Sequence, residues 1–404
     1  MFSEMKPLFP TLWPRAGRER FMLILLISSV AFAQGKVTRV PPLKDARQHH
    51  TATLLADGRV LVVGGRGTDG LSTLASCELY APKKNTWSPC APLTVARSHH
   101  AATLLPDGRV LVTGGTTHES VGDQNRFVAL ASAEVYEPAK NRWVAVTPMS
   151  DARNGHTATL LGDGTVLVVG GAREQRLHLA STERFDPAKN AWTTEQPLDV
   201  ARWLHTAVRT SEGDVVIAGG RSNAAQEKKG PGVSIADVER FDVKARTWTT
   251  LPPMSEPRQR TSFIAAADGA LIVIGGQTTT SSTNYAETWR PGLTQWVPFE
   301  NHLSMSLSAH TGTRLPDGDL VVIGGEPPNA VDTSRVQRWR LATKEWCLAG
   351  ELSVSRKTHS ATLLNDGRVL VVGGTSGGLP EKTAELWAPM NGKCEDPPGI
   401  SLGW

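Results

Sequence analysis

Residues 50–65 read HTATLLADGRVLVVGG. After His50 the first residues are short, β-branched or apolar, as strands prefer. Asp57-Gly58 follows, a pair that accepts the positive φ of a two-residue hairpin turn. Residues 60–63 are wholly apolar, which suits a strand covered on both faces. Gly64-Gly65 ends that strand where backbones crowd. Working outward, a third strand is expected around residues 77–80, then a turn at 82–85, then a fourth strand carrying Trp87.

The same pattern recurs along the chain. Glycine pairs begin at Gly64, Gly114, Gly170, Gly219, Gly275, Gly324 and Gly373, 49 to 56 residues apart. Fourteen residues before each stands His50, His100, His156, His205, Thr261, His310 or His359. After each pair comes Glu78, Glu134, Glu183, Glu239, Glu287, Gln337 or Glu385, with an aromatic two residues on. A Trp follows nine residues after that polar position in six units, and Cys394 takes its place in the seventh. A period near 50 marks stacked supersecondary units. Seven sets of four antiparallel strands predict an all-β chain folded as a seven-bladed β-propeller.

The glycine pair, the spaced aromatic and the Trp of the fourth strand resemble the kelch repeat over residues 36–396. The wording ATLLPDGRVLVTGG at residues 102–115 is similar to bacterial exported kelch proteins. The resemblance implies a kelch-type propeller of four-stranded antiparallel blades, with units at about 44–93, 94–149, 150–198, 199–254, 255–303, 304–352 and 353–398. Residues 36–43 are expected to supply the last blade's fourth strand, because Val37 precedes Arg47 by the interval that separates Trp87 from Arg97. That closure would remove an exposed sheet edge. Closure by residues 393–396 is the alternative.

The chain has 404 residues, a formal charge of +4 and 20% charged residues. Residues 1–33 hold four basic and two acidic residues, so the remainder carries +2. This balance, with no basic run beside exposed aromatics, argues against nucleic acid or an anionic membrane as partner. Arg15, Arg18 and Arg20 precede the apolar residues 21–32, and Ala31-Phe32-Ala33 suits a cut before Gln34. Residues 1–33 therefore read as an export signal, with an uncleaved anchor as the alternative and Met5 as another possible start. The apolar run is short for a bilayer span. A secreted or periplasmic monomer without a membrane span is expected. Exported chains tolerate disulfides. Stepping outward from the turn at 82–85 puts Cys77 opposite Cys90, leaving Cys347 with Cys394.

Strand alternation puts the Asp-Gly hairpins on one face and the variable second-to-third loops on the other, the usual place for recognition. That face also receives Arg47, Arg97, Arg153, Arg202, Arg258 and Arg356, each three residues before the His or Thr position; the sixth unit has Leu307 there. A ring of arginines would favour anionic groups. Its structural alternative is pairing with neighbouring carboxylates or blade-end carbonyls. Residues that break the repeat carry more weight for a selective site. They are Trp203, then His118, Glu119, Asp123, Asn125 and Arg126 in loop 116–131, and Asn223, Gln226, Glu227 and Lys228 in loop 221–233. The polar loop 277–285 belongs with them.

Galactose oxidase and its relatives share a kelch propeller, but their copper chemistry needs a Tyr pair near two His ligands. Of three tyrosines only Tyr285 lies off the repeat aromatic position. No Ser elbow or paired-carboxylate motif suggests a hydrolase. The expectation is a non-enzymatic exported module, without cofactor or metal, that recognises a protein or glycan through its loop face. The alternative is a small carbohydrate-active enzyme of epimerase or mutarotase type, working in the central channel.

Overall fold

A computed structural model describes residues 35–121, 124–173, 177–223, 232–328 and 331–390. Every element among them is a strand: seven four-stranded antiparallel sheets, with three small two-stranded ribbons beside them. Blade 1 comprises Thr51–Leu54, Val60–Val63, Cys77–Ala81 and Thr86–Cys90, adjacent in that order. The first strands of successive blades touch in turn, and Ser360–Leu363 of blade 7 returns to Thr51–Leu54. These first strands line the channel.

Lys36–Val40 is the outer strand of blade 7, paired with Ala384–Ala388 from Lys36 opposite Ala388 to Val40 opposite Ala384. The N-terminal segment thus ties the first unit to the last and covers what would be an open edge. Residues 393–396 lie outside the described residues.

The second strands are the densest part of each blade: Val60, Leu61 and Val62 are fully buried. Their apolar side chains fill the gaps to both neighbouring blades, the main source of stability in such a ring. The aromatic two residues after the acidic position faces the blade's Trp, as with Tyr80 and Trp87 at 5.0 Å between centroids. The glycine pair follows from the crowding. Gly64 has a φ of +61°, and a Cβ there would come within 2.5 Å of the Arg97 carbonyl of the next blade. Gly65 N–H donates to that same carbonyl at 2.8 Å.

Cys77 lies opposite Cys90 in the register and is bonded to it, with Cα atoms 5.4 Å apart. No cysteine among the described residues is free. Cys394 lies outside them. Several blades depart from regularity, blades 4 and 7 by two-residue ribbons in the second-to-third connection. In blade 2 the connection expected as a loop forms its own hairpin, Thr116–Val121 with Gln124–Ala129. In blade 5 the fourth strand shrinks to Val297–Pro298, where proline withholds a ladder donor.

Candidate functional site at the channel mouth

Arg47, Arg97, Arg153, Arg202, Arg258 and Arg356 are fully buried. Each folds into its own blade. Arg97 Nη1 donates to the Gly114 and Ser132 carbonyls at 2.8 and 3.0 Å, and Nη2 reaches Glu134 Oε1 at 2.8 Å. The pairs Arg47–Glu78, Arg153–Glu183, Arg202–Glu239, Arg258–Glu287 and Arg356–Glu385 repeat this within 2.6–3.0 Å. The carboxylate is further held by the backbone of the incoming link: Thr94 N–H donates to Glu134 Oε2 at 2.8 Å. This corrects the expectation that these arginines face a ligand. Strand ends present unpaired carbonyls, and a buried guanidinium satisfies them only where a carboxylate balances its charge.

Blade 6 lacks both members. Leu307 is buried in the apolar cluster between blades 5 and 6, and Gln337 Oε1 accepts from Ser304 N and Oγ at 2.8 Å each.

The repeated histidines link neighbouring blades. His100 Nε2 meets Thr51 Oγ1 at 2.9 Å, His156 meets Thr113 at 2.8 Å and His205 meets Thr157 at 3.0 Å. His50 closes the circuit on Ser360 at 2.9 Å. Burial lowers these imidazoles, His50 and His205 to about 3. They are neutral fasteners at neutral pH.

A variable position lies one residue earlier. His49, His99, Gly155, Leu204, Arg260, Ala309 and Thr358 all have φ between +50° and +57°. This left-handed region is costly for residues with a Cβ and recurs where surrounding contacts over-determine the backbone. Here a chain of bonds around the axis does so. His99 N–H donates to the His49 carbonyl, Gly155 to His99, Leu204 to Gly155, Arg260 to Leu204, Ala309 to Arg260 and Thr358 to Ala309, at 3.0–3.4 Å. The backbone repeats from blade to blade while the side chains differ.

Beside that ring runs a second variable tier. Single bridges join Gln48 to Arg66, Ser98 to Thr116, Asn154 to Ala172, Trp203 to Arg221, Gln259 to Gln277, Ser308 to Glu326 and Lys357 to Thr375. The two tiers gather a polar cluster at the mouth. His49 and His99 stack with centroids 3.8 Å apart. Burial holds both imidazoles well below the usual histidine range, His99 at about 3, with the positive charges of Arg66 and Arg260 adding to the effect. Arg260 comes from blade 5, so its influence on blades 1 and 2 acts across the channel. Its side chain is exposed to the channel and makes no hydrogen bond or ion pair among the described residues. Enclosure by the ring lowers the Arg260 guanidinium, Glu326 opposes that, and Arg221 reinforces it. Lys357 pairs with Glu326 at 2.5 Å and Asp332 at 3.4 Å.

The repeat-breaking residues are placed as follows. Trp203 is half-buried at the mouth. Its indole lies over Gly155, where a Cβ would come within 3 Å of it, and Nε1 donates to Asn154 Oδ1 at 3.0 Å. His118 and Arg126 sit on the blade 2 hairpin, His118 beside Phe127 and Arg126 paired with Glu119 at 2.9 Å. Asn125 Oδ1 accepts from Ser120 Oγ. Phe127 carries Arg66 over its ring at 4.0 Å. Asn223 is buried. Asp123, Gln226, Glu227 and Lys228 lie outside the described residues. His49, His99, Arg66, Arg221, Arg260 and Lys357 were missed by the sequence reading. Their signal is a fixed place in the repeat, one or two residues before the His position or directly after the glycine pair, where the residue varies between units.

A family model described as KLHDC2/KLHL20/DRC7 Kelch-repeats domain matches residues 30–220 and 155–374. No curated protein matches the sequence. Among solved structures, a fungal alcohol oxidase of the AA5 family in complex with copper is 18% identical, covers 89% of this chain and 76% of its own, and has a TM-score of 0.67. The structure of YjhT is 15% identical, covering 77% of this chain and 99% of its own, with a TM-score of 0.58. At such identities the likeness is one of fold. The residues here do not fit a copper centre. Tyr80 and Tyr136 are sealed in blades 1 and 2, donating to Asn85 and Asn141, and Tyr285 packs on His302. Among the described residues no three His, Cys, Asp or Glu side chains are grouped to hold a metal.

Proposed function

The chain belongs to the kelch-repeat family, and from that premise we propose that it is an exported, non-enzymatic binding module. It takes an anionic group of a protein or glycan ligand at the channel mouth. The observation that carries this reading is the convergence of Arg66, Arg221 and Arg260 on one opening, with Arg260 unpaired. A guanidinium offers a planar fork to a carboxylate, and partial enclosure strengthens the attraction over that in bulk water. Trp203 and the stacked His49–His99 pair add flat surfaces beside the charges, suited to a sugar face or a peptide side chain. The depressed imidazoles support binding over acid–base catalysis, which works best with groups titrating near the working pH.

The test is an array of acidic and neutral glycans and peptides probed with the chain from Gln34 onward and with Arg260→Ala. Retention of carboxylate-bearing ligands, reduced about tenfold by the substitution, is expected. Equal retention of neutral ligands by both proteins would remove the anionic basis. Absence of the protein from the medium and periplasm of a producing cell would remove the exported one.

A further inference from the structure

A second opening lies on the opposite, Asp-Gly face, between blades 5 and 6, and we propose that it binds a small aromatic carboxylate. The cavity measures about 380 Å³, within the range of small-molecule sites. It lies where the blade 5 hairpin carries only short side chains. The residue after each hairpin glycine is Arg59, Arg109, Thr165, Asp214, Ala270, Asp319 or Arg368. Arg59 pairs with Asp57 at 2.7 Å, and its charge acts on Tyr136 of the next blade; Arg368 does the same towards Tyr80. In blade 5 the hairpin reads Ala266-Ala267-Asp268-Gly269-Ala270. No long side chain spans the gap, and Trp339 of blade 6 lines an open cleft with Ile272, Phe299 and Leu320.

The shortened fourth strand of blade 5 removes a second closure. Trp87, Trp143, Trp192, Trp248 and Trp296 donate Nε1–H to carbonyls at the end of the preceding blade's outer strand: Pro41, Ala91, Thr147, Gln196 and Pro252, at 2.7–2.8 Å or, for Trp248, 2.9 Å. Trp346 Nε1 is buried and meets no acceptor among the described residues. The contact that seals this interface elsewhere is therefore missing beside the cavity.

The lining chemistry selects the ligand. Phe299 and Trp339 present an aromatic wall, tilted at 42° with centroids 4.4 Å apart. Such a wall favours a flat apolar body. On the rim, Asp268 is taken by Arg290 at 2.7 Å. The side chains of Arg314 and Lys344 have no hydrogen-bond or ion-pair partner among the described residues, against the single unpaired acid Glu300. Two free cations beside an apolar floor complement one carboxylate on an aromatic frame.

Calorimetric titration of the whole exported chain with 2-naphthoate and its neutral analogue 2-naphthylmethanol tests this. The expected dissociation constant for 2-naphthoate is below about 1 mM. Ala270→Arg, which restores the residue that three other blades carry, should abolish binding of both ligands. Arg314→Gln, at a partly exposed and unpaired residue, should weaken 2-naphthoate about tenfold and leave the neutral analogue unchanged. Arg260→Ala at the channel mouth should change neither titration. No binding at 10 mM, roughly one decade weaker than expected, overturns the inference. So does undiminished binding to Ala270→Arg, equal weakening of both ligands by Arg314→Gln, or loss of 2-naphthoate binding in Arg260→Ala. The Arg314→Gln measurement stands even if Ala270→Arg fails to fold.

Discussion

The molecule uses arginine in two opposite ways within a few residues of each other. Arg97 is fully buried, bound to three carbonyls and Glu134, and repeated in five other blades. Arg260 stands two residues after Arg258, a member of that buried set, yet its guanidinium is exposed to the channel and unpaired. The first holds strand ends together in six of the seven blades; the second occurs once and adds charge at the channel mouth. Recurrence marks the scaffold, and departure from recurrence marks the site. Blade 6 sharpens the point, because Arg and Glu vanish there together and leave Leu307 and Gln337. A buried ion pair is costly to halve but can be replaced whole by a neutral arrangement.

The largest effect should come from halving such a pair. Arg97→Ala leaves Glu134 buried and uncompensated, and a loss of about 3–5 kcal/mol in unfolding free energy is expected by denaturant titration. Arg97→Leu with Glu134→Gln copies blade 6 and should recover at least about half of that loss. If the double variant is as unstable as the single one, the neutral pair of blade 6 depends on something else in that blade.

Next comes acid. His50 and His205 are held to about 3 in the fold and His310 to about 4, by burial above all. The unfolded chain titrates near 6.5, so the two states bind protons equally above that pH. As pH falls below about 6.5 the unfolded state takes up protons that the fold refuses, and stability declines by up to about 1.4 kcal/mol per pH unit for each histidine. Urea unfolding between pH 7 and 5 should show this slope, and His205→Asn should reduce it by about one proton. A flat profile would mean that these imidazoles are protonated in the fold.

At the mouth the comparison predicts separation of binding from stability. Arg260→Ala should cost about tenfold in affinity for a carboxylate ligand while the urea midpoint stays within error of the parent. The smallest effect belongs to an exposed pair. Arg126→Ala breaks the bond to Glu119 on the blade 2 hairpin, where both side chains are solvated, and should move the melting temperature by less than about 2 °C.

Much of this was open to reading in the chain. Strand order, the hairpin turns, the cross-strand Cys77–Cys90 pair and the match of blade number to glycine pairs all follow from local patterns of period two and turn chemistry. The face of the Arg set could be placed, but its direction could not. A residue three before a strand can turn into the blade or into the channel, and the choice depends on which carbonyls lie within reach after the sheet has formed. The simultaneous loss of Arg and Glu in the sixth unit was the one sign of pairing present in the sequence.

What the sequence by itself determined is therefore the repeated part: seven blades, each but the last specified by contacts between residues close in the chain. What only the tertiary structure decided is the site. His49, His99 and Arg260 lie 50 to 211 residues apart and meet because ring closure brings blades 1, 2 and 5 around one axis. The cleft over Trp339 likewise exists because a hairpin with short side chains in blade 5 faces an aromatic contributed by blade 6. Local propensity acts over a few residues, whereas both openings are made by parts that no local pattern joins.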